Sequence, residues 1–390
     1  MKYSLATSSW DVKELDAIQR VINSDMFSMD KEVRSFEGQF ANFFKSKYAL
    51  MVNSGSSANL IMIASLFFRK QNPLQRGDEV IVPAVSWSTT YMPLQQYGLK
   101  VKFIDIDLET LNFDLDALAK SITNKTRLIF AVNLLGNSND FNAINEIIGN
   151  RNITLIEDNC ESMGAKFNDK FCGTFGLMGS FSTFFSHHIS TMEGGVVLTD
   201  NEELYHIMLS LRAHGWTRNL PKHNYVTGLK SDDLFEESYR FALPGYNLRP
   251  LEISGALGQE QLKKLSSFIN IRRTNAAKFC KIMANFPDII IQEQIGESSW
   301  FGFSLILKNQ SRISRESLIE IFNKNNIECR PIVAGNFTKN TAINFFDYDI
   351  PFPLKNSDFI DRNGLFIGNS HNDLSLELAL LENVLNTIIK

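Results

Sequence analysis

From Tyr48 to about Val197, short apolar runs alternate with stretches whose apolar positions recur at helical spacing. Residues 49–52, 79–83, 100–107, 127–132 and 153–158 read as strands, and residues 56–68 as the helix that follows the first of them. These strands are apolar along most of their length instead of alternating with polar residues. That predicts burial on both faces of a mostly parallel sheet, the centre of a layered α/β domain. Past Pro250 the pattern changes to a long helical stretch (about 251–286), a strand (300–307), a helix (317–326) and a C-terminal helix. The expected organisation is a large domain over residues 1–249 and a smaller C-terminal α/β domain over 250–390, joined near Arg249.

The length, 390 residues, accommodates two such units. Hydrophobic residues at 44% and charged residues at 21% are ordinary for a globular protein. A net charge of -4 gives no global attraction to nucleic acid or to a membrane surface, so an anionic ligand needs local donors. The N-terminal stretch carries charges where a signal peptide has an apolar run, and the longest apolar stretches are too short to span a bilayer. A cytoplasmic protein is expected. Cys160, Cys172, Cys280 and Cys329 form no CxxC pair, so neither a metal site nor an iron–sulfur cluster is expected, and all four read as small buried hydrophobes.

Four segments carry candidate chemistry. In Asn53–Asn59, Gly55 permits a tight turn, and Ser56 and Ser57 lie at a helix N-terminus, where free N–H groups suit a phosphate; a serine-capped helix fits the same residues. Asp158 ends a buried strand, where ligands of open α/β sheets gather, and suits either a protonated ring nitrogen or a helix cap. Trp87, after the strand ending at Pro83, offers a face for stacking, or is core. In the segment 179–195, Gly194–Gly195 marks a turn into a strand, and the adjacent pair His187–His188 holds a candidate proton shuttle. Adjacent histidines do not have the spacing of a helical metal pair; a plain surface turn is the other reading.

Taken in order, these segments resemble the sugar-nucleotide aminotransferases of the DegT/DnrJ/EryC1/StrS type, which have the aspartate-aminotransferase-like fold (fold type I). The landmarks are SGSSAN (54–59), EDNCES (157–162), GSFSTFF (179–185), EGG (193–195) and GYNLR (245–249), so the likeness covers essentially the whole chain. In that family a lysine stands seven residues before the first glycine of the GG pair; here that position is His187, and no lysine occurs between Lys170 and Lys222. Histidine can move a proton but cannot tether the cofactor's aldehyde covalently. The same departure marks a branch of the family, the sugar 3-dehydratases.

The resemblance implies an enzyme using pyridoxal 5'-phosphate and pyridoxamine 5'-phosphate, with L-glutamate as amino donor and a GDP-linked 4-keto-6-deoxy sugar as substrate. Of the two kinds of 3-dehydratase, one carries an iron–sulfur cluster; the scattered cysteines point to the other. It further implies that Gly55, Ser56 and Ser182 hold the cofactor phosphate, with Asn247 reaching it from the partner of a homodimer. Asp158 would pair with the ring nitrogen, Trp87 cover the ring, and Glu161 sit beside its 3-hydroxyl. His187, with an ordinary pKa of about 6.5, would serve as base and then acid. Ser186, His214, Arg218 and Arg330 are candidates for the sugar nucleotide, with Lys222 adding local positive charge, while His188 is expected to fill the turn. Two rivals stay open: a sugar 4-aminotransferase with a lysine from elsewhere, and a cofactor-binding homologue without activity.

Overall fold

The computed structural model describes residues 2–308 and 313–389. The first seven strands of the large sheet are β1 (Tyr48–Val52), β2 (Glu79–Pro83), β3 (Lys100–Ile104), β4 (Thr126–Val132), β5 (Thr154–Asp158), β6 (Gly179–Ser182) and β7 (Gly195–Thr199). A smaller antiparallel sheet follows from β8 (Ile289–Ile290), β9 (Gly302–Leu307), β10 (Cys329–Arg330) and β12 (Gly364–Gly368), in the order β8-β9-β12-β10. Between them in sequence, β11 (Tyr348–Asp349) returns to the edge of the large sheet beside β3. The large sheet runs β1-β7-β6-β5-β4-β2-β3-β11, parallel from β6 to β11 and antiparallel where β7 meets β1 and β6.

Every residue of β2, β6 and β7 is buried, as expected for strands covered on both faces. Helix α1 (Gly55–Phe68) covers one face and is buried on nearly every side, which explains why its sequence is apolar all round. Helix α2 (Ser88–Gln96) lies after β2, and the long helix α3 (Glu252–Met283) packs Leu262, Leu265, Phe268 and Ile269 against Val33, Phe36 and Phe40. The expected elements appear within a few residues, the main difference being β3, which stops at Ile104 and not at 107.

Register is what builds the site. Gly195 stands opposite Val52 on one side and Ser182 on the other, so the loop after β1 and the end of β6 are brought together. A Cβ on Gly195 would lie 2.2 Å from the Ser54 carbonyl oxygen, and one on Gly55 would lie 2.7 Å from Cβ of Ser182. Two glycines thus let three backbone segments converge. Asp158 pairs with Val132 and with Ser180, at the same carboxyl end of the parallel strands.

Candidate active site

Ser54 caps α1, its hydroxyl accepting from Ser57 N–H at 3.1 Å, so the helix N-terminus opens between Gly55 and Ser182. Ser56 is exposed there, whereas Ser182 is buried and accepts from Phe184 N–H at 3.3 Å. Free N–H groups, a dipole end and hydroxyls together form an anion cradle.

Asp158 is 5% exposed and accepts from Asn59 Nδ2 (2.7 Å) and Thr90 Oγ1 (2.8 Å) on one oxygen and from Cys160 N–H (3.1 Å) on the other. Ser180 Oγ donates onward to Asn59 and Ser86 to Thr90, which locks both partners. Asp158 caps no helix. Among the described residues no lysine, arginine or histidine forms an ion pair with it, so this buried carboxylate is oriented by neutral donors and faces the site without a counter-charge. Trp87 precedes Thr90 at the start of α2; it is 58% exposed, a large uncovered indole at the mouth and not a core residue.

The turn from 183 to 194 is a tight hairpin: Thr183 N–H donates to Gly194 O, Thr191 N–H to Thr183 O and Phe185 N–H to Met192 O. Within it, Ser186 and His187 are half-buried and His188 fully buried. Nδ1 of His187 is buried with no hydrogen-bond partner, and its ring lies 5.1 Å from that of Phe301. The ordinary pKa expected of His187 is not retained: burial, then the charges of Arg272 and Arg330, push it down to about 3, so the imidazole rests neutral. Nor does His188 merely fill the turn, for its Nε2 donates to the Ser299 carbonyl at 3.2 Å.

Glu161 accepts from Leu135 N–H at 3.1 Å. Burial raises its carboxyl to about 7; Leu135 N–H and Arg330 pull against that, and the Asp158 charge pushes the same way. Arg330, exposed on β10, therefore faces the same space as Glu161 and His187, with its guanidinium over the Phe366 ring at 5.9 Å. Asn247 precedes Leu248, whose carbonyl accepts from Asn53 N–H at 3.0 Å at the start of the cradle loop. Asn247 and Arg218 line a cavity of about 430 Å3 with Trp216, Arg249, Asp30 and Leu251, and Asn247 accepts from Arg249 Nε at 3.0 Å. His214, in a left-handed conformation (φ 62°), sets its ring 5.1 Å from Trp216. Lys222 is taken up by Asp232, which leaves Arg218 as the available charge of that stretch.

A phosphorylated pyridine fits these residues. Its phosphate meets a cradle that a single methyl group at Gly55 would fill, and its ring N–H meets a buried carboxylate, Asp158, held by neutral donors at the sheet end. All four cysteines are free thiols, of which only Cys172 is fully buried, and among the described residues no group of three potential ligands assembles for a metal. Asn59, Thr90, Arg272 and Phe301 escaped the sequence reading; Asn59 lay within the recognised loop but gave no sign of turning toward Asp158.

On a doubly covered, mostly parallel sheet, a site of this make-up defines a vitamin-B6-binding protein of the aspartate-aminotransferase-like fold. Residues 9–360 match the model of the DegT/DnrJ/EryC1/StrS aminotransferase family, and the chain belongs to that family. It is 60% identical over 386 residues to GDP-4-keto-6-deoxy-D-mannose 3-dehydratase of Yersinia pseudotuberculosis, covering 99% of this chain and 98% of that one. Two solved structures of GDP-4-keto-6-deoxymannose-3-dehydratase, each 59% identical with a TM-score of 0.97, cover 98% of this chain and are themselves covered completely. One is a mutant with bound GDP-perosamine and the other holds a trapped PLP-glutamate geminal diamine.

Proposed function

We propose that this chain is a pyridoxal/pyridoxamine phosphate-dependent 3-dehydratase that converts GDP-4-keto-6-deoxy-D-mannose to GDP-4-keto-3,6-dideoxy-D-mannose. The observation that carries the reading is His187 in the family's lysine position, within a chain about 60% identical to enzymes of that name. L-Glutamate is the amino donor; the net reaction consumes sugar and glutamate and yields the 3-deoxy sugar, 2-oxoglutarate and ammonia. When bound, the cofactor supplies the amine that condenses with the 4-keto group and an electron-poor ring that stabilises the negative charge developing beside it.

The chain's own residues do the rest. Gly55, Ser56 and Ser182 hold the phosphate, Asp158 keeps the ring nitrogen protonated, Trp87 covers the ring and Glu161 stands beside its hydroxyl. His187, resting neutral, accepts the proton whose removal starts loss of the C3 hydroxyl, and the imidazolium so formed protonates the departing oxygen. Arg330 and Arg218 suit the GDP diphosphate, with Ser186 and His214 toward the sugar. Asn247 serves the phosphate of a partner subunit, so the active unit is a homodimer; it lines a cavity beside exposed Leu251. No helix among the described residues is long and apolar enough to cross a membrane, in keeping with work in the cytoplasm on a nucleotide sugar for deoxysugar synthesis.

The test is to incubate the protein with pyridoxal phosphate, glutamate and GDP-4-keto-6-deoxymannose, then measure ammonia and sugar product. Ammonia in proportion to a 3-deoxy sugar is the expected outcome. An amino sugar without ammonia would make the chain an aminotransferase, and no turnover of either half-reaction would make it a binding protein.

A further inference from the structure

Helix α3 carries Arg272 into the interior, where only 3% of its surface is exposed. Its Nη1 donates to the carbonyls of Asn369 (2.9 Å), Phe301 (3.0 Å) and Trp300 (3.4 Å), while its Nε is buried with no acceptor. Among the described residues no carboxylate forms an ion pair with it. Burying an arginine without a counter-ion is costly, and backbone carbonyls return only part of its lost hydration. Helix packing alone is served equally well by an apolar side chain.

The clamped backbone leads to the histidines. Ser299, just before Trp300, accepts from His188 Nε2, and the Phe301 ring lies 5.1 Å from His187 and 5.8 Å from His188. Trp300 itself has φ 47°, a conformation that bulky residues rarely adopt, and Asn369 Nδ2 holds its carbonyl beside Arg272. The segment 299–301 is therefore a strained link between α3 and the turn that bears the two imidazoles.

We propose that Arg272 is a positioning residue of the active site: it clamps the Trp300–Phe301 backbone so that the Phe301 ring and the Ser299 carbonyl fix His187 and His188 for proton transfer. The inference rests on the reading of His187 as the acid–base residue. Its charge adds a second effect. Arg272 and, from β10, Arg330 are the cations acting on His187, and Arg272 also acts on His188 and His371. The carboxylates nearby, Glu161 and Asp158, act on one another, and Glu161 is drawn to Arg330 and not to Arg272. A cation of this kind keeps the resting imidazole of His187 neutral and lowers its affinity for a proton, so the imidazolium formed in the reaction is a stronger acid toward the departing hydroxyl.

The experiment compares holoprotein of the wild type with Arg272→Met, Arg272→Lys and Phe301→Leu. Three quantities are read: thermal stability, the titration midpoint of the 15N-labelled His187 ring, and kcat and KM against pH. Arg272→Met is expected to raise the His187 midpoint by about one unit and to lower kcat about ten- to a hundredfold with KM for the sugar little changed. Arg272→Lys should keep the midpoint but recover only part of kcat, since an ammonium cannot bridge the same carbonyls. Phe301→Leu should lower kcat in a stably folded protein. Variants that lose only melting temperature, with midpoint and kcat as in the wild type, would overturn the proposal. If Arg272→Met does not fold, Arg272→Lys and Phe301→Leu decide the matter by the same readouts. Should the wild type leave this sugar unchanged, the titration midpoints still judge Arg272, and only the substrate assignment fails.

Discussion

His187 and Glu161 show how one site sets two groups against their solution behaviour. Burial lowers the histidine to about 3 and raises the glutamate to about 7. For Glu161 the folded-state value lies above the ordinary 4.5, so its contribution to stability is full below 4.5 and is lost as pH rises through about 7. Glu161→Gln should therefore gain melting temperature over the wild-type apoprotein at pH 8 and show little gain at pH 4.5. At His187 the substitution that restores the family residue is the informative one. His187→Lys should bind pyridoxal phosphate covalently, seen by mass spectrometry after borohydride reduction, while dehydration falls about a hundredfold or more. Retained dehydration in that variant would remove His187 from the mechanism.

At the scale of elements, the site depends on how closely β7 approaches the start of α1. Gly195→Ala places a methyl group 2.2 Å from a backbone oxygen that has no rotamer to change, so the strand or the loop must shift. The expected cost is about 1–3 kcal/mol, read as a lower melting temperature, together with weaker binding of pyridoxal phosphate in a titration. A variant that keeps its cofactor affinity would show that the cradle tolerates the displacement. Asp158 makes the complementary case: β5 sets it at the sheet end, but α1 and α2 supply Asn59 and Thr90, which aim it.

For the whole molecule, the exposed apolar residues speak to assembly. Leu234 (84% exposed), Phe235 (88%), Tyr239 (74%) and Phe241 (55%) lie on one short stretch, an apolar surface that suits the contact of the proposed homodimer. On the proposed homodimer, Phe235→Glu should convert a dimer to a monomer in light scattering and weaken cofactor binding as well, by withdrawing the Asn247 proposed to reach the phosphate from the other subunit. Loss of dimer with undiminished cofactor affinity would place Asn247 outside the site.

The sequence by itself determined the layered sheet, because strands buried on both faces must be apolar throughout, and β2 and β5 could be read almost to the residue. It also determined the departure from the family's lysine pattern, since the absence of lysine between Lys170 and Lys222 is a local fact that no folding can alter. Tertiary structure alone decided the state of those groups. Arg272 and Phe301 reach His187 across gaps of 85 and 114 residues, and neither belongs to a motif. A pKa depends on burial and on charges brought near in space, so the resting neutrality of His187 came into view only when α3, β10 and the 183–194 turn were packed together.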